Sequence, residues 1–341
     1  MIIQWLKIVT KKRIYEILYA KRIDPLRTIY RPWHTIEKDT YNFGGKMVKR
    51  FLFLGLMMAC DGKAMNTPTF LYSHGLFDNH TQAYWFTKNT PQGIENKRYF
   101  MEGEIVTFDY EDVTPGFWKT DFTQVSMAQT NEIMRLKKIY DLTRARLEEE
   151  QKNQNIILVG LSRGASTIIN FAALFNPPQV KAIILEAPFD SSVTIAKSMV
   201  QNLKLHWIPG MQSMGHNLLS LLFTQHKKDG IQPIDAAADI KKDMPLFLAC
   251  SLTDWLVPAS STMALYKKLV ETGHTQVYLF IANKSKHSKI IFSDDGERYM
   301  QAINAFFKKY NLPHNETLAQ IGQSILAECQ PTISSLQKYL N

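Results

Sequence analysis

The chain has 341 residues, 45% hydrophobic and 21% charged, with a formal net charge of +9. That balance excludes an intrinsically disordered chain, and the length suits one large α/β domain with additions. The excess lysines are dispersed in pairs (137–138, 227–228, 241–242, 267–268, 308–309), mostly near predicted helix ends, so they read as solvated surface, not a nucleic-acid-binding stripe. Cys60, Cys250 and Cys329 are too few and too scattered for a disulfide framework or a zinc site. His206, His216 and His226, each ten residues apart, do not align on one helical face. No metal and no cofactor is implied.

Residues 1–20 alternate apolar positions (Ile2, Ile3, Trp5, Leu6, Ile8, Val9) with basic ones (Lys7, Lys11, Lys12, Arg13). This pattern fits a helix docked on the body or one lying on a membrane surface, and docking is preferred. Residues 47–60, Met-Val-Lys-Arg followed by Phe51–Cys60, are similar to a secretory signal ending at a lipid-attachment-like cysteine. Met57 suits such a site poorly, and Phe51–Met58 reads equally as an early core strand. A soluble cytoplasmic protein is the preferred expectation, with export or membrane association as the alternatives.

From Thr69 the elements alternate. Thr69–Ser73 reads as a strand entering His74-Gly75, where glycine is expected to permit a tight bend and His74 to be a structural hydrogen-bonder. A strand is expected at 104–110 and a long helix at 126–151. Ile156–Leu161 then runs into Gly160-Leu161-Ser162-Arg163-Gly164, followed at once by a helical apolar pattern (Ile168, Ile169, Phe171, Ala172). A strand turning directly into a helix forces the intervening serine into a strained conformation with its hydroxyl raised above the sheet edge. Ser162 is the candidate nucleophile.

Such a hydroxyl needs a base and a group that orients the base, at the ends of later strands in the order Ser, acid, His. The strand 244–251 ends in Asp254, and the strand 277–282 leads to His287. Asp190, after the strand 180–188, is the alternative acid, although it is better placed to cap a helix there. Glu186, within that strand, is expected to be buried. The oxyanion of an acyl-transfer intermediate requires backbone donors, assigned to the amides of Leu76 and Arg163. Residues 191–240 form an apolar insertion at helical spacing, expected as a cap above Ser162; neither of its apolar runs is long enough to span a membrane.

Together, Ser73-His74-Gly75-Leu76, Gly160-Leu161-Ser162-Arg163-Gly164, Asp254-Trp255-Leu256-Val257-Pro258 and His287 resemble the α/β-hydrolase superfamily over roughly Thr69 to Tyr310. The prolyl-oligopeptidase-like and acyl-thioesterase-like members are the nearest in pattern. No propeller is expected from these residues, so oligopeptidase specificity is not implied, and Lys286 stands where many members place glycine. The resemblance implies a mostly parallel central sheet flanked by helices, with a small helical cap. Residues 1–65 would be an amino-terminal extension, 66–310 the hydrolase domain with the cap at about 191–240, and 311–341 a helical extension. It further implies a Ser162–His287–Asp254 triad, an oxyanion hole at Leu76 and Arg163, and hydrolysis of an ester, thioester or amide through an acyl-enzyme. The alternatives are acyl transfer on the same fold and a non-catalytic binding protein on a hydrolase scaffold. The expected partner is a small acyl substrate, uncharged because the insertion contains no arginine, although Arg163 is a nearby charge.

Overall fold

The computed structural model describes residues 67–88, 98–113, 120–202, 204, 217, 219–221 and 223–339, all within the compact unit Met65–Asn341. The expectations for residues 1–65, the signal-like segment included, lie outside the described residues, as does Trp207 of the insertion.

Strands β1 (Thr69–Ser73), β2 (Glu104–Thr107), β3 (Ile156–Leu161), β4 (Val180–Glu186), β5 (Leu246–Ser251) and β6 (Val277–Ala282) form one sheet in the order β2-β1-β3-β4-β5-β6. Every pairing is parallel. A parallel sheet needs both faces covered, which is why these strands read as nearly unbroken apolar runs. Alternate residues supply two cores. Leu71, Leu158, Leu185 and Leu248 face α1 (Thr130–Glu149), α2 (Arg163–Phe175) and α5 (Ala259–Glu271). Tyr72, Val159, Ile184 and Ala249 face the 3-10 turns of His80–Phe86 and helix α6 (Gly296–Lys309). Between α2 and α5 lie α3 (Ser192–Asn202) and the short α4 (Pro233–Ala236).

The strand order reverses between β1 and β3. At such a point successive connections leave on opposite faces, opening a crevice at the carboxyl ends of the two strands. Ser73–Gly75 and Ser162 meet there. Over the same end lies a third apolar cluster: Val125, Met127, Phe189, Ile195, Leu219, Phe223 and Val257, with Leu76, Phe122 and Met199 packed against it. The described part of the 191–240 insertion thus contributes to a layer bordering the crevice.

Two element boundaries differ from expectation by more than two residues. Helix α1 begins at Thr130, not Ser126, because Met127 and Ala128 hold left-handed φ values of 57° and 67°. Ser126 instead donates its amide to Glu132 at 2.9 Å, with its hydroxyl on the same carboxylate. Strand β2 stops at Thr107, where Phe108 and Tyr110 leave the sheet for the core. Beyond α6, helix α7 (Glu316–Glu328) packs so closely that a Cβ on Gly322 would lie 2.0 Å from the Gln301 carbonyl oxygen. Helix α8 (Ile333–Leu336) follows.

Candidate active site

Ser162 sits between β3 and α2 at φ 53° and ψ −118°, the strained turn its sequence context requires. Two backbone contacts hold it. Its amide donates to the Glu186 carbonyl at 2.8 Å, and its carbonyl receives the Ser166 amide at 3.0 Å. The elbow glycines are steric necessities. A Cβ on Gly160 would stand 2.7 Å from Ala165 Cα, and one on Gly164 would stand 2.2 Å from the Ser73 carbonyl oxygen. Strand, turn and helix therefore pass at distances that admit no side chain.

His287 Nδ1 lies 2.7 Å from Asp254 Oδ2. The other carboxylate oxygen of Asp254 accepts the Leu256 and Val257 amides at 2.9 and 3.1 Å, so the acid is itself held. With Nδ1–H donating to Asp254, the lone pair of His287 is left on Nε2. Burial opposes a charge on His287, but Asp254, joined by Glu186 and Asp78, outweighs it and raises the imidazole pKa above its ordinary value. Asp190 is engaged elsewhere: its Oδ1 accepts the Ser261 hydroxyl at 2.6 Å and the Ser191 amide at 2.7 Å. Lys286 needs no glycine-like backbone; the left-handed residue beside the imidazole is Ser288, at φ 52°.

On the other side, a Cβ on Gly75 would lie 3.6 Å from Ser162 Cβ, so the Gly75–Leu76 segment runs beside the nucleophile. Gly75 does not itself supply the bend. The left-handed residue is Phe77, at φ 64°. The segment is braced by Gln82, whose Oε1 accepts the Gly75 amide at 3.0 Å and the Tyr72 hydroxyl at 2.9 Å, while its Nε2 donates to Asp78 at 2.8 Å. His74 is fully buried. Its Nδ1 lies 2.8 Å from the Gly75 carbonyl, and the Tyr110 amide points at its Nε2 from 3.3 Å. That pair of partners fixes the neutral Nδ1–H form, and burial, with Arg163 nearby, lowers the pKa to about 4. A structural role for His74 follows from the same contacts.

The Arg163 amide opens α2, where helical amides lack carbonyl partners within the helix. Its side chain, by contrast, offers the crevice no charge. The guanidinium is 1% exposed, donates Nη1 to Asp112 at 2.9 Å and to Glu132 at 3.5 Å, and stacks 4.5 Å over the Tyr110 ring. The Tyr110 hydroxyl meets Ser73 in turn. This buried network was not foreseen. Its one sequence signal is the arginine itself: inside an elbow pressed against β1 it must be buried, and a buried guanidinium requires carboxylates. Which carboxylates answer cannot be read from a separation of 51 residues.

The fold has solved counterparts. An acylaminoacyl peptidase of Pyrococcus horikoshii shares 19% identity at a TM-score of 0.51, over 74% of this chain and 39% of that one. An esterase of Pyrococcus furiosus shares 17% identity at a TM-score of 0.51, over 71% of this chain and 82% of that one. At such identities the likeness establishes the α/β-hydrolase fold alone. The chain spans well under half of the peptidase's length. No curated protein sequence matches the chain. The sequence profile of the prolyl oligopeptidase family matches residues 139–312, just over half of the chain, from within α1 through the elbow, Asp254 and His287 to the end of α6; the protein belongs to that family of hydrolases.

Proposed function

We propose that the protein is a serine hydrolase that cleaves a carboxylic ester, thioester or amide through an acyl-enzyme on Ser162. The observation that carries this reading is the conjunction at one sheet end of a strained Ser162 elbow with a His287–Asp254 pair at 2.7 Å. In the first half-reaction His287 Nε2 takes the Ser162 hydroxyl proton as Oγ attacks the carbonyl carbon. The negative charge forming on the carbonyl oxygen is received by the Leu76 and Arg163 amides. Asp254 keeps the imidazole in the correct tautomer and stabilises it once protonated. Collapse of the intermediate passes that proton to the leaving oxygen, sulfur or nitrogen and leaves an ester on Oγ. Water, deprotonated by the same imidazole, repeats the sequence in reverse and frees the acid and Ser162.

The acyl group that suits this site is uncharged. The layer bordering the crevice is Leu76, Phe122, Phe189, Ile195, Met199, Leu219, Phe223 and Val257, and the Arg163 guanidinium is committed to Asp112 and Glu132. Each methylene buried against such a layer contributes roughly 0.8 kcal/mol. A p-nitrophenyl ester series from acetate to decanoate tests this reading. Efficiency should climb over the first few carbons, and esters of dicarboxylic acids should be poor substrates. A profile that is flat, or that falls steadily from acetate, would show that this layer does not hold the acyl chain.

A further inference from the structure

Glu186 ends β4 and is 1% exposed. Its main chain and its side chain reach two different parts of the site. The carbonyl accepts the Ser162 amide at 2.8 Å. The carboxyl Oε1 accepts the Ile290 amide at 2.9 Å, three residues past His287. The other side of the histidine loop is tied separately: the Ser285 amide donates to Ser251 Oγ at 2.8 Å, and that hydroxyl donates back to the Ser285 carbonyl at 3.0 Å. His287 is thus slung between two anchors, one at Ser285 and one at Ile290, and the second is Glu186. One residue fixes both the nucleophile's backbone and the base's loop. For that task alone a glutamine would serve, since one acceptor meets one amide. The second oxygen, Oε2, is buried and makes no hydrogen bond at normal distance, although the Tyr299 hydroxyl acts on the carboxyl.

Resting on the serine-hydrolase reading, we propose that Glu186 is a positioning residue for His287, a carboxyl that both ties the histidine loop to the strand end beside Ser162 and sets the electrostatic field at the imidazole. The groups facing it come from four elements: Tyr72 on β1, Asp254 after β5, His287 itself, and Tyr299 on α6. Asp78 acts on both Tyr72 and His287 from the loop after β1. Burial pushes the Glu186 carboxyl up to about 7, against the opposing pull of the Ile290 amide, Tyr299 and His287. Its charge therefore changes within the working range of a histidine base. When ionised, Glu186 is a second carboxylate favouring imidazolium, the species His287 becomes in the transition state. When protonated, it leaves Asp254 to act on the imidazole with Asp78 alone.

The test pairs a conservative and a truncating variant. Glu186→Gln keeps an acceptor for the Ile290 amide and removes the ionisation. In an NMR pH titration of the His287 ring, assigned by its loss in His287→Asn, the wild-type ring should report the Glu186 ionisation near pH 7 as a step additional to its own. Glu186→Gln should give a single step at lower pH, because a carboxylate that favoured the charged ring is gone. Glu186→Ala also cuts the tie, and kcat should fall about 10²-fold with KM little changed, as for a misplaced catalytic group. Glu186→Gln should recover most of that loss. A ring titration identical in wild type and Glu186→Gln overturns the proposal, even if Glu186→Ala does not fold. The titration is read on resting protein: a wild type that takes up no fluorophosphonate would reject the hydrolase reading while the titration still decides the role of Glu186.

Discussion

Gly164→Ala should damage both stability and catalysis, and the cause is a single methyl group. Its Cβ would stand 2.2 Å from the Ser73 carbonyl oxygen, 2.5 Å from the Ser73 carbonyl carbon and 2.7 Å from the His74 oxygen. All three are backbone atoms, so no rotamer change relieves the contact. Carbon–oxygen approaches under 3.0 Å are essentially never tolerated, so the amino terminus of α2 and the end of β1 must part by about 0.8 Å or more, close to the 1 Å that costs ~10²-fold in rate when catalytic groups are displaced. Overpacking that backbone cannot absorb costs about 3 kcal/mol. In a unit of this size that lowers Tm by roughly 5 °C. The same displacement separates the two amides proposed to receive the oxyanion, Leu76 on the β1 side and Arg163 on the α2 side. Thermal melts and the second-order rate of fluorophosphonate labelling report the two effects separately. Gly75→Ala is the control: its Cβ meets Ser162 Cβ at an ordinary 3.6 Å, so stability should stay within about 1 kcal/mol. A Gly164→Ala protein that melts within about 2 °C of wild type and labels at the wild-type rate would show that β1 and α2 have room for the methyl group.

Asp254→Asn should lower ester kcat by about 10⁴-fold, because an amide presents the wrong partner to Nδ1–H, whereas Asp190→Asn should cost less than about tenfold; steady-state turnover of both variants decides, and the reverse ranking would exchange the acid assignment. The acid limb of kcat/KM should have its midpoint above the ordinary histidine value of 6.5, since the base works only when neutral and Asp254 raises its pKa. Activity therefore rises with pH through that midpoint, and a midpoint at or below 6.5 would contradict the electrostatics. Asp112→Ala should destabilise the protein by about 3–5 kcal/mol, since it leaves a buried guanidinium facing only the more distant Glu132. A denaturant midpoint shifted without a change in slope measures this, and a loss under about 1 kcal/mol would mean the network is solvated.

What the sequence revealed and what it hid have physical reasons. The elbow was legible because its demands are local: two glycines, a serine, an apolar strand before and an apolar helical face after. Asp254 and His287 were legible by topology, as polar residues just past the ends of strands whose apolar runs stand out. The expected start of helix α1 falls four residues early because Met127 and Ala128 have good helix propensity; their left-handed φ is imposed by tertiary structure, with Ser126 turned onto Glu132. The arginine beside Ser162 looked like an available charge, and only the fold reveals Asp112 and Glu132 around it. Gln82 carried no pattern at all, and Glu186 was marked only as a buried residue of its strand, since a brace acting through one side-chain oxygen leaves no periodicity.

An activated Ser162 should be the one serine that a fluorophosphonate captures. Intact-mass analysis of the folded protein after exposure to a fluorophosphonate should show a single adduct, mapped by peptide sequencing to Ser162. The adduct should be absent from Ser162→Ala, whose thermal melt should match the wild type. A folded wild type that acquires no adduct, or an adduct mapped to any other serine, would contradict the account.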